Sequence, residues 1–282
     1  PQPLSISLYS HNILFDYSFF IYYFFWNFFS ILVFLGFGTL FFFSLNCSFF
    51  FFTFSMYLKD DFIQNPELIN HFHNFVLDFN PSEFQNIKFW ISKDLLTSYD
   101  FPFFANPHFS FSDISDNSLF STSSQDLSIL FAVSCYIIKS LYNHDQLLQF
   151  EGFEVWPNSR DTPHESHQFH IDKDEFVFTH SRKLLPPHES IVYFSSHPDT
   201  PVIGGELVIA NTPYNVSDAN LAITLHTHNY QKINFVDNRI IAFNGGKFPH
   251  FVLPLLSGKR FSIAINSWKQ KPHIGNFWHF QY

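Results

Sequence analysis

The period of hydrophobic and polar positions changes twice along this chain. Between Tyr17 and Leu58 no charged residue interrupts the apolar run, and stretches such as Phe19–Trp26 and Phe49–Phe52 are apolar on every face. A charge-free run longer than about 20 residues reads as a membrane-spanning helix. Two spans broken near Gly36-Phe37-Gly38 also fit the length. From Asn65 the pattern becomes helical. Asn65 can cap, Pro66 suits the first helical position, and Glu67 favours the positive end of the dipole. Leu68, Ile69, Phe72, Phe75 and Val76 then form one apolar stripe. A second helix is predicted to open at Ser124 or Asp126 and to run through Leu127, Leu130, Val133, Ile137 and Leu141. The Ser-, Asp-, Asn- and Pro-rich stretch Pro102–Ser124 between them reads as loop.

Beyond Phe150 the period shortens to that of strands. The candidates are Glu151–Trp156, Gln168–Asp172, Ser190–Ser195, Glu206–Ala210, Ala222–Leu225, Arg239–Phe243, His250–Leu253 and Arg260–Trp268. Turn residues such as Pro186-Pro187 and Asn244-Gly245-Gly246 separate many of them. The expected fold class is mainly β with supporting α-helices, built on a jelly-roll core. Three regions follow: a Phe-rich apolar segment over 1–58, a helical supporting region over 59–147, and a β core over 148–282.

Composition changes the reading of the first region. The chain holds 43 Phe, concentrated near its start, and its one methionine, Met56, stands where composition becomes ordinary. Runs of Phe, Ser, Leu and Ile are also what translated pyrimidine-rich noncoding sequence would give. Two expectations stand side by side. Either residues 17–58 anchor the protein in a membrane, or the native chain begins at Met56 and works in the cytoplasm. N-terminal sequencing separates them. A net charge of −9 offers no basic stripe for phosphates and disfavours nucleic acid as a partner. Cys47 and Cys135 cannot form a disulfide framework. Asn215-Val216-Ser217 fits a glycosylation sequon, which matters only in a secreted domain.

Candidate chemistry concentrates in His170-Ile171-Asp172, with His250 and Arg260 far downstream. A strand puts residues i and i+2 on one face, so Gln168, His170 and Asp172 share a side while Phe169 and Ile171 take the other. An imidazole and a carboxylate side by side can fill two adjacent corners of a metal, and His250 a third. Two His and one carboxylate on one octahedral face is the non-haem Fe(II) arrangement, with open positions left for other ligands. Arg260 offers a planar fork that stays charged and matches a carboxylate. A buried strand Arg needs an anion. Ser262, two residues on, faces the same side.

In these stretches the chain resembles the Fe(II)/2-oxoglutarate dioxygenases, nearest their prolyl 4-hydroxylase branch. His170-Ile171-Asp172 is similar to the family's HxD, and Ile191–Phe194 with Gly204-Gly205-Glu206-Leu207 to its central strands and Gly-Gly turn. Phe248–Pro254 resembles its distal-His strand, and Ser257–Trp268 its last core strand. The resemblance covers about Gln149 to Trp268 and implies a double-stranded β-helix. It implies Fe(II) held by His170, Asp172 and His250, and 2-oxoglutarate and O2 as cosubstrates. Arg260 would grip the far carboxylate of 2-oxoglutarate, helped by Ser262 and by Tyr193, which matches a family tyrosine. Ascorbate is a candidate auxiliary reductant. The implied activity is hydroxylation of a peptidyl (prolyl-type) or small-molecule C–H, with oxidative splitting of the cosubstrate to succinate and carbon dioxide.

Plainer readings accompany each residue. With 16 His in the chain, most are packing or surface residues, and His164, His167, His180, His188, His226, His228 and His273 are read so. Tyr193 can be an ordinary core aromatic, Arg260 a structural ion pair, and Asp172 a turn residue. His197-Pro198-Asp199 is a second HxD, but its proline suits a turn rather than a strand. The alternative function is a non-catalytic, cupin-like metal-binding or structural module. Such a module would have no use for Arg260. The sequence leaves the oligomeric state open.

Overall fold

The computed structural model describes residues 56–78, 88–98, 125–161, 169–197, 199–214 and 229–273. All belong to the second of two units into which the chain divides, Pro1–Phe52 and Thr53–Tyr282. The Phe-rich run up to residue 55, the predicted loop 102–124, the predicted strand 222–225 and the sequon 215–217 lie outside the described residues. So do His164, His167, Gln168, His226 and His228.

Six antiparallel strands form the larger sheet. They are β1 (Met56–Lys59), β2 (Phe89–Ser92), β3 (Gly152–Asp161), β4 (Glu189–Ser195), β8 (Arg239–Phe243) and β11 (Lys259–Trp268), in the order β1-β8-β4-β11-β3-β2. A second sheet has the order β7 (Tyr230–Ile233), β6 (Leu207–Ala210), β9 (His250–Val252). The short strands β5 (Ile203–Gly204) and β10 (Leu255–Ser257) pair with each other. Five helices complete the described residues: α1 (Pro66–Asp78), α2 (Lys93–Ser98), α3 (Gln125–Leu141), α4 (His144–Leu147) and α5 (Glu175–Ser181).

The caps explain where helices begin. Asn65 accepts a hydrogen bond from the Leu68 amide at 3.0 Å, as the capping pattern predicts. Asn143 and Gln146 form a reciprocal capping box at α4. Asp174 caps α5 through the Val177 amide at 2.9 Å. None of the described helices is long and apolar enough to cross a membrane.

Strand β11 organises the core because it is paired on both sides. Its whole length runs against β3, and Phe261–Ser267 run against β4. Alternation then assigns its side chains to two faces. Phe261, Ile263 and Ile265 join a cluster with Phe72, Phe75, Leu130 and Ile138 of α1 and α3. The helices of the supporting region therefore share one core with the outer face of the sheet. The inner face packs differently. Phe194, Ile241 and Phe243 meet Leu207, Ile209, Ile233 and Val252 of the second sheet, so the two sheets share a second, smaller core.

One predicted strand is not formed. Within Gln168–Asp172 the described residues hold a single β-bridge, His170 to His250, after which the chain leaves the ladder. The Asp172 amide instead donates to the Gly245 carbonyl at 3.0 Å. Strand β1, absent from the predicted set, straddles the boundary placed between the Phe-rich and helical regions.

Candidate metal centre

His250 opens β9 and faces inward beside Ile209 of β6. Its ring stands edge-on to Phe243, with centroids 5.0 Å apart. His170 is fixed to it by two backbone hydrogen bonds, 3.0 Å and 2.8 Å, and the two imidazoles lie 4.4 Å apart. Asp172 comes from the chain just past this bridge. Its Oδ1 is 3.8 Å from His170 Nε2 and 3.7 Å from His250 Nε2. One ligand atom from each of the three lies within 4.8 Å of the others, and no other such group of His, Cys, Asp and Glu occurs among the described residues. The sequence-predicted triad is thus brought together by a bridge and a turn rather than by a strand.

Neighbours orient these donors. Ser190 Oγ donates to Asp172 Oδ2 at 2.6 Å, which leaves Oδ1 facing the imidazoles. The Phe248 carbonyl lies 3.1 Å from His250 Nδ1, so that nitrogen carries the proton and Nε2 presents its lone pair. Burial holds the His250 imidazole below its ordinary range, and His170 adds to this against the pull of Asp172. A neutral imidazole is the form that binds a metal. Gly245 is required where it stands. A Cβ there would come within 2.4 Å of both Asp172 Oδ2 and Ser190 Oγ.

The inner face of the larger sheet runs from this triad toward Arg260 in rows set by the register. Glu154, Asn266 and Ser190 form one polar row nearest Asp172. Trp156, Ala264, Val192 and Ile241 form an apolar row next to it. Asn158, Ser262 and Phe194 follow, and then Arg260 with Arg160 opposite. Successive rows are about 7 Å apart.

Arg260 is almost fully buried, at 2% exposure. Its Nη1 donates to Ser262 Oγ at 3.3 Å, and its guanidinium lies 4.9 Å from the Phe194 ring centroid. Its Nε has no hydrogen-bond partner among the described residues. Burial, then the neighbouring charge of Arg160, brings the guanidinium down to about 9. The turn at Gly204-Gly205 makes room for it. Gly205 has a φ of 69°, and a Cβ there would meet Arg260 Cδ at 2.8 Å.

Tyr193 is not brought to this site. Strand alternation sends Ser190, Val192 and Phe194 inward, so Tyr193 faces the helices with Ile191. Its hydroxyl donates to Asn238 Oδ1 at 3.0 Å, and its ring packs 6.0 Å from that of Phe72. The aromatic beside Arg260 is Phe194, one residue on. His197 and Asp199 of the second HxD belong to a turn rather than a strand. The Asp199 amide donates to His197 Nδ1 at 3.2 Å, and the Thr200 amide to the His197 carbonyl at 2.9 Å. His273 sits against Asp174 at the cap of α5, 3.3 Å away. Ser190 and Gly245 were missed by sequence reasoning. Asn244-Gly245-Gly246 was legible as a turn, but nothing local told that Asp172 lies against it.

No protein-family model matches the sequence, and no curated protein matches it. The chain is similar to solved prolyl hydroxylases and 2OG-Fe(II) oxygenases. A Pseudomonas putida prolyl-4-hydroxylase is 17% identical with a TM-score of 0.43, covering 78% of this chain and 90% of that one. A prolyl hydroxylase from Trichoplax adhaerens, in complex with a hypoxia inducible factor oxygen degradation domain peptide fragment, is 13% identical with a TM-score of 0.40. It covers 77% of this chain and 84% of that one. An oxidoreductase of the 2OG-Fe(II) oxygenase family from Burkholderia pseudomallei is 9% identical with a TM-score of 0.32, covering 50% of this chain and 59% of that one.

Proposed function

We propose that this chain is an Fe(II)- and 2-oxoglutarate-dependent oxygenase with a double-stranded β-helix core. The observation that carries the proposal is the pairing of two sites on one inner face. Two imidazole nitrogens and a carboxylate oxygen converge within 4.8 Å, and a buried guanidinium with an unpartnered Nε stands beyond an apolar row. Polar end, apolar middle and cationic end match a keto acid whose carboxylates are joined by methylenes.

The donor set fits the metal. Two neutral nitrogens and one anionic oxygen leave half of an octahedron open, which suits Fe(II). When bound, Fe(II) supplies the oxygen chemistry of C–H hydroxylation. The chain's residues do the rest. His170, Asp172 and His250 hold the metal. Ser190 and the Phe248 carbonyl keep the carboxylate and imidazole in their ligating orientations. Arg260 and Ser262 hold the far carboxylate of the cosubstrate. Trp156, Ala264 and Val192 form the apolar floor between, which excludes water from the cosubstrate's methylenes. The substrate class that follows from the family resemblance is a peptidyl prolyl or small-molecule C–H.

Anaerobic titration of Fe(II) and 2-oxoglutarate tests this. The expected result is a weak visible charge-transfer band that disappears in His170→Ala. A folded, iron-loaded protein without that band would favour a non-catalytic metal-binding module.

A further inference from the structure

Three tryptophans share the inner face at one end of the larger sheet, and an acid stands among them. The register sets Trp90 of β2 directly opposite Glu154 of β3, and Trp268 of β11 opposite Gly152. Trp156 lies two residues along from Glu154. Residues so opposed, or two apart on one strand, project to the same side. Trp90 can lie against β3 because Gly152 has no Cβ; one there would come within 2.5 Å of its ring. Asn266 flanks Glu154 on β11, and Ser190, which holds Asp172, stands one strand further on. Glu154 and Asn266 are buried, at 7% and 5% exposure. Among the described residues no hydrogen bond or ion pair holds either side chain. The indole N–H groups of Trp156 and Trp268 are buried without partners as well.

Packing does not account for this group. The core on the other face of β3 is built from Phe153 and Val155, whereas an acid set among tryptophans loses its hydration. Burial outweighs the attraction of Lys88. The Lys88 ammonium lies over the Trp156 ring, 3.9 Å from its centroid, rather than against the carboxylate, and that of Lys271 lies over Trp90 at 5.5 Å. Two of the three rings thus already attract primary ammonium groups. The carboxylate would add a stronger, charge-assisted bond, and the two indole N–H groups can donate to its oxygens once it is ionised. An uncharged ligand would leave the acid unpaired, and an anion would be repelled by it and by Asp172. Two strand spacings, about 10 Å, separate the backbones of Glu154 and Ser190. We propose that Glu154, framed by Trp90, Trp156 and Trp268, binds an ammonium group of the substrate, while a C–H about 10 Å away on the same molecule faces the metal centre. This rests on the oxygenase reading above and names the substrate class for it.

The test uses the full chain loaded with Fe(II) and 2-oxoglutarate under nitrogen. Calorimetry compares two ammonium probes, Nα-acetyl-lysine methylamide and butylamine, with their uncharged counterparts, Nα-acetyl-norleucine methylamide and butan-1-ol. At least one ammonium probe should bind about tenfold or more tighter than its counterpart. Glu154→Gln keeps the shape and removes the charge, so affinity for that probe should fall about 10- to 100-fold while the uncharged counterpart is unaffected. The visible band with 2-oxoglutarate should remain in the variant, because Glu154 touches neither the metal ligands nor Arg260. Tighter binding of the lysine derivative than of butylamine identifies the ammonium as a peptide's; equal affinity identifies it as a free amine's. Absence of any preference for ammonium in the wild type, or a preference that survives in Glu154→Gln, overturns the proposal and, with the band intact, leaves the oxygenase standing. If Glu154→Gln does not fold, the wild-type comparison decides alone. A folded, iron-loaded wild type without the band removes the oxygenase reading, and the substrate role of Glu154 with it.

Discussion

The two faces of β11 are buried to nearly the same degree and are made of different chemistry. Toward the helices stand Phe261, Ile263 and Ile265, each at 0% exposure. Toward the second sheet stand Arg260, Ser262 and Asn266, at 2%, 4% and 5%. Burial therefore does not distinguish them. The outer face satisfies itself, since aromatic and aliphatic side chains need only close neighbours. Phe261, for example, meets Phe72 and Phe75 edge-on at 5.6 Å and 5.7 Å. The inner face keeps polar groups out of water without fully pairing them, which costs stability unless something else binds there. Alternate residues of one strand thus serve the fold and the site in turn.

The largest expected effect breaks the comparison at adjacent positions. Phe261→Ala should destabilise the protein by about 3–5 kcal/mol, through lost transfer energy and a cavity between α1 and the sheet. Ser262→Ala should cost no more than about 1.5 kcal/mol, since the two hydrogen bonds it removes are both long. For 2-oxoglutarate binding the order should reverse, with Ser262→Ala the weaker binder and Phe261→Ala, once folded, near wild type. Urea unfolding and the visible band read the two quantities. Equal stability losses at the two positions would show that the faces are not divided in this way.

A second contrast lies in the polar row nearest the metal centre. Burial pushes the Glu154 carboxyl up to about 7, against the nearby charge of Lys88. The indole N–H groups of Trp156 and Trp268 favour its ionised form through space, without forming hydrogen bonds to it. An acid raised in the folded state holds its proton after the unfolded chain has released its own. Stability should therefore fall as pH rises from the unfolded value of about 4.5 to about 7, and level off above that. Glu154→Gln removes the titration. The variant should exceed wild type by up to about 3 kcal/mol above pH 7 and match it near pH 4. The difference between their unfolding free energies across pH measures it. A flat difference would mean that Glu154 titrates in the folded protein as it does in the unfolded chain.

Much of this division was legible in the sequence, and the exceptions have physical causes. The α1 stripe and its Asn65 cap are local, so periodicity and one side chain sufficed. Strands β4, β6, β8, β9 and β11 were placed within a residue or two because each carries a run of apolar residues at strand period bounded by turn residues. Strands β5 and β10, two and three residues long, are held by pairing with each other, which no window along the sequence detects. The faces were harder. In Ile191-Val192-Tyr193-Phe194 every residue is apolar or aromatic, so alternation gives no clue to which side is inward. The register against β11 decides it, and it turns Tyr193 toward the helices and Phe194 toward Arg260.

The smallest effect concerns a residue that touches a proposed ligand without being one. Ser190 belongs to the inner row, is buried at 3% exposure, and donates to Asp172 Oδ2 at 2.6 Å. That bond fixes the carboxylate rotation that turns Oδ1 toward both imidazoles. Removing it leaves the carboxylate free to swing and raises the cost of ordering it on the metal. Groups in this position typically affect metal affinity 10- to 100-fold. The backbone bond from the Asp172 amide to Gly245 remains in the variant, so the lower end is expected. Ser190→Ala should therefore weaken Fe(II) about tenfold, far short of the loss expected when Asp172 itself is removed. Folding should be little changed, because a methyl group fits where the hydroxymethyl stood. Anaerobic metal titration with a competing chelator gives the number. Affinity equal to wild type would make Ser190 a packing residue and leave the orientation of Asp172 to the backbone alone.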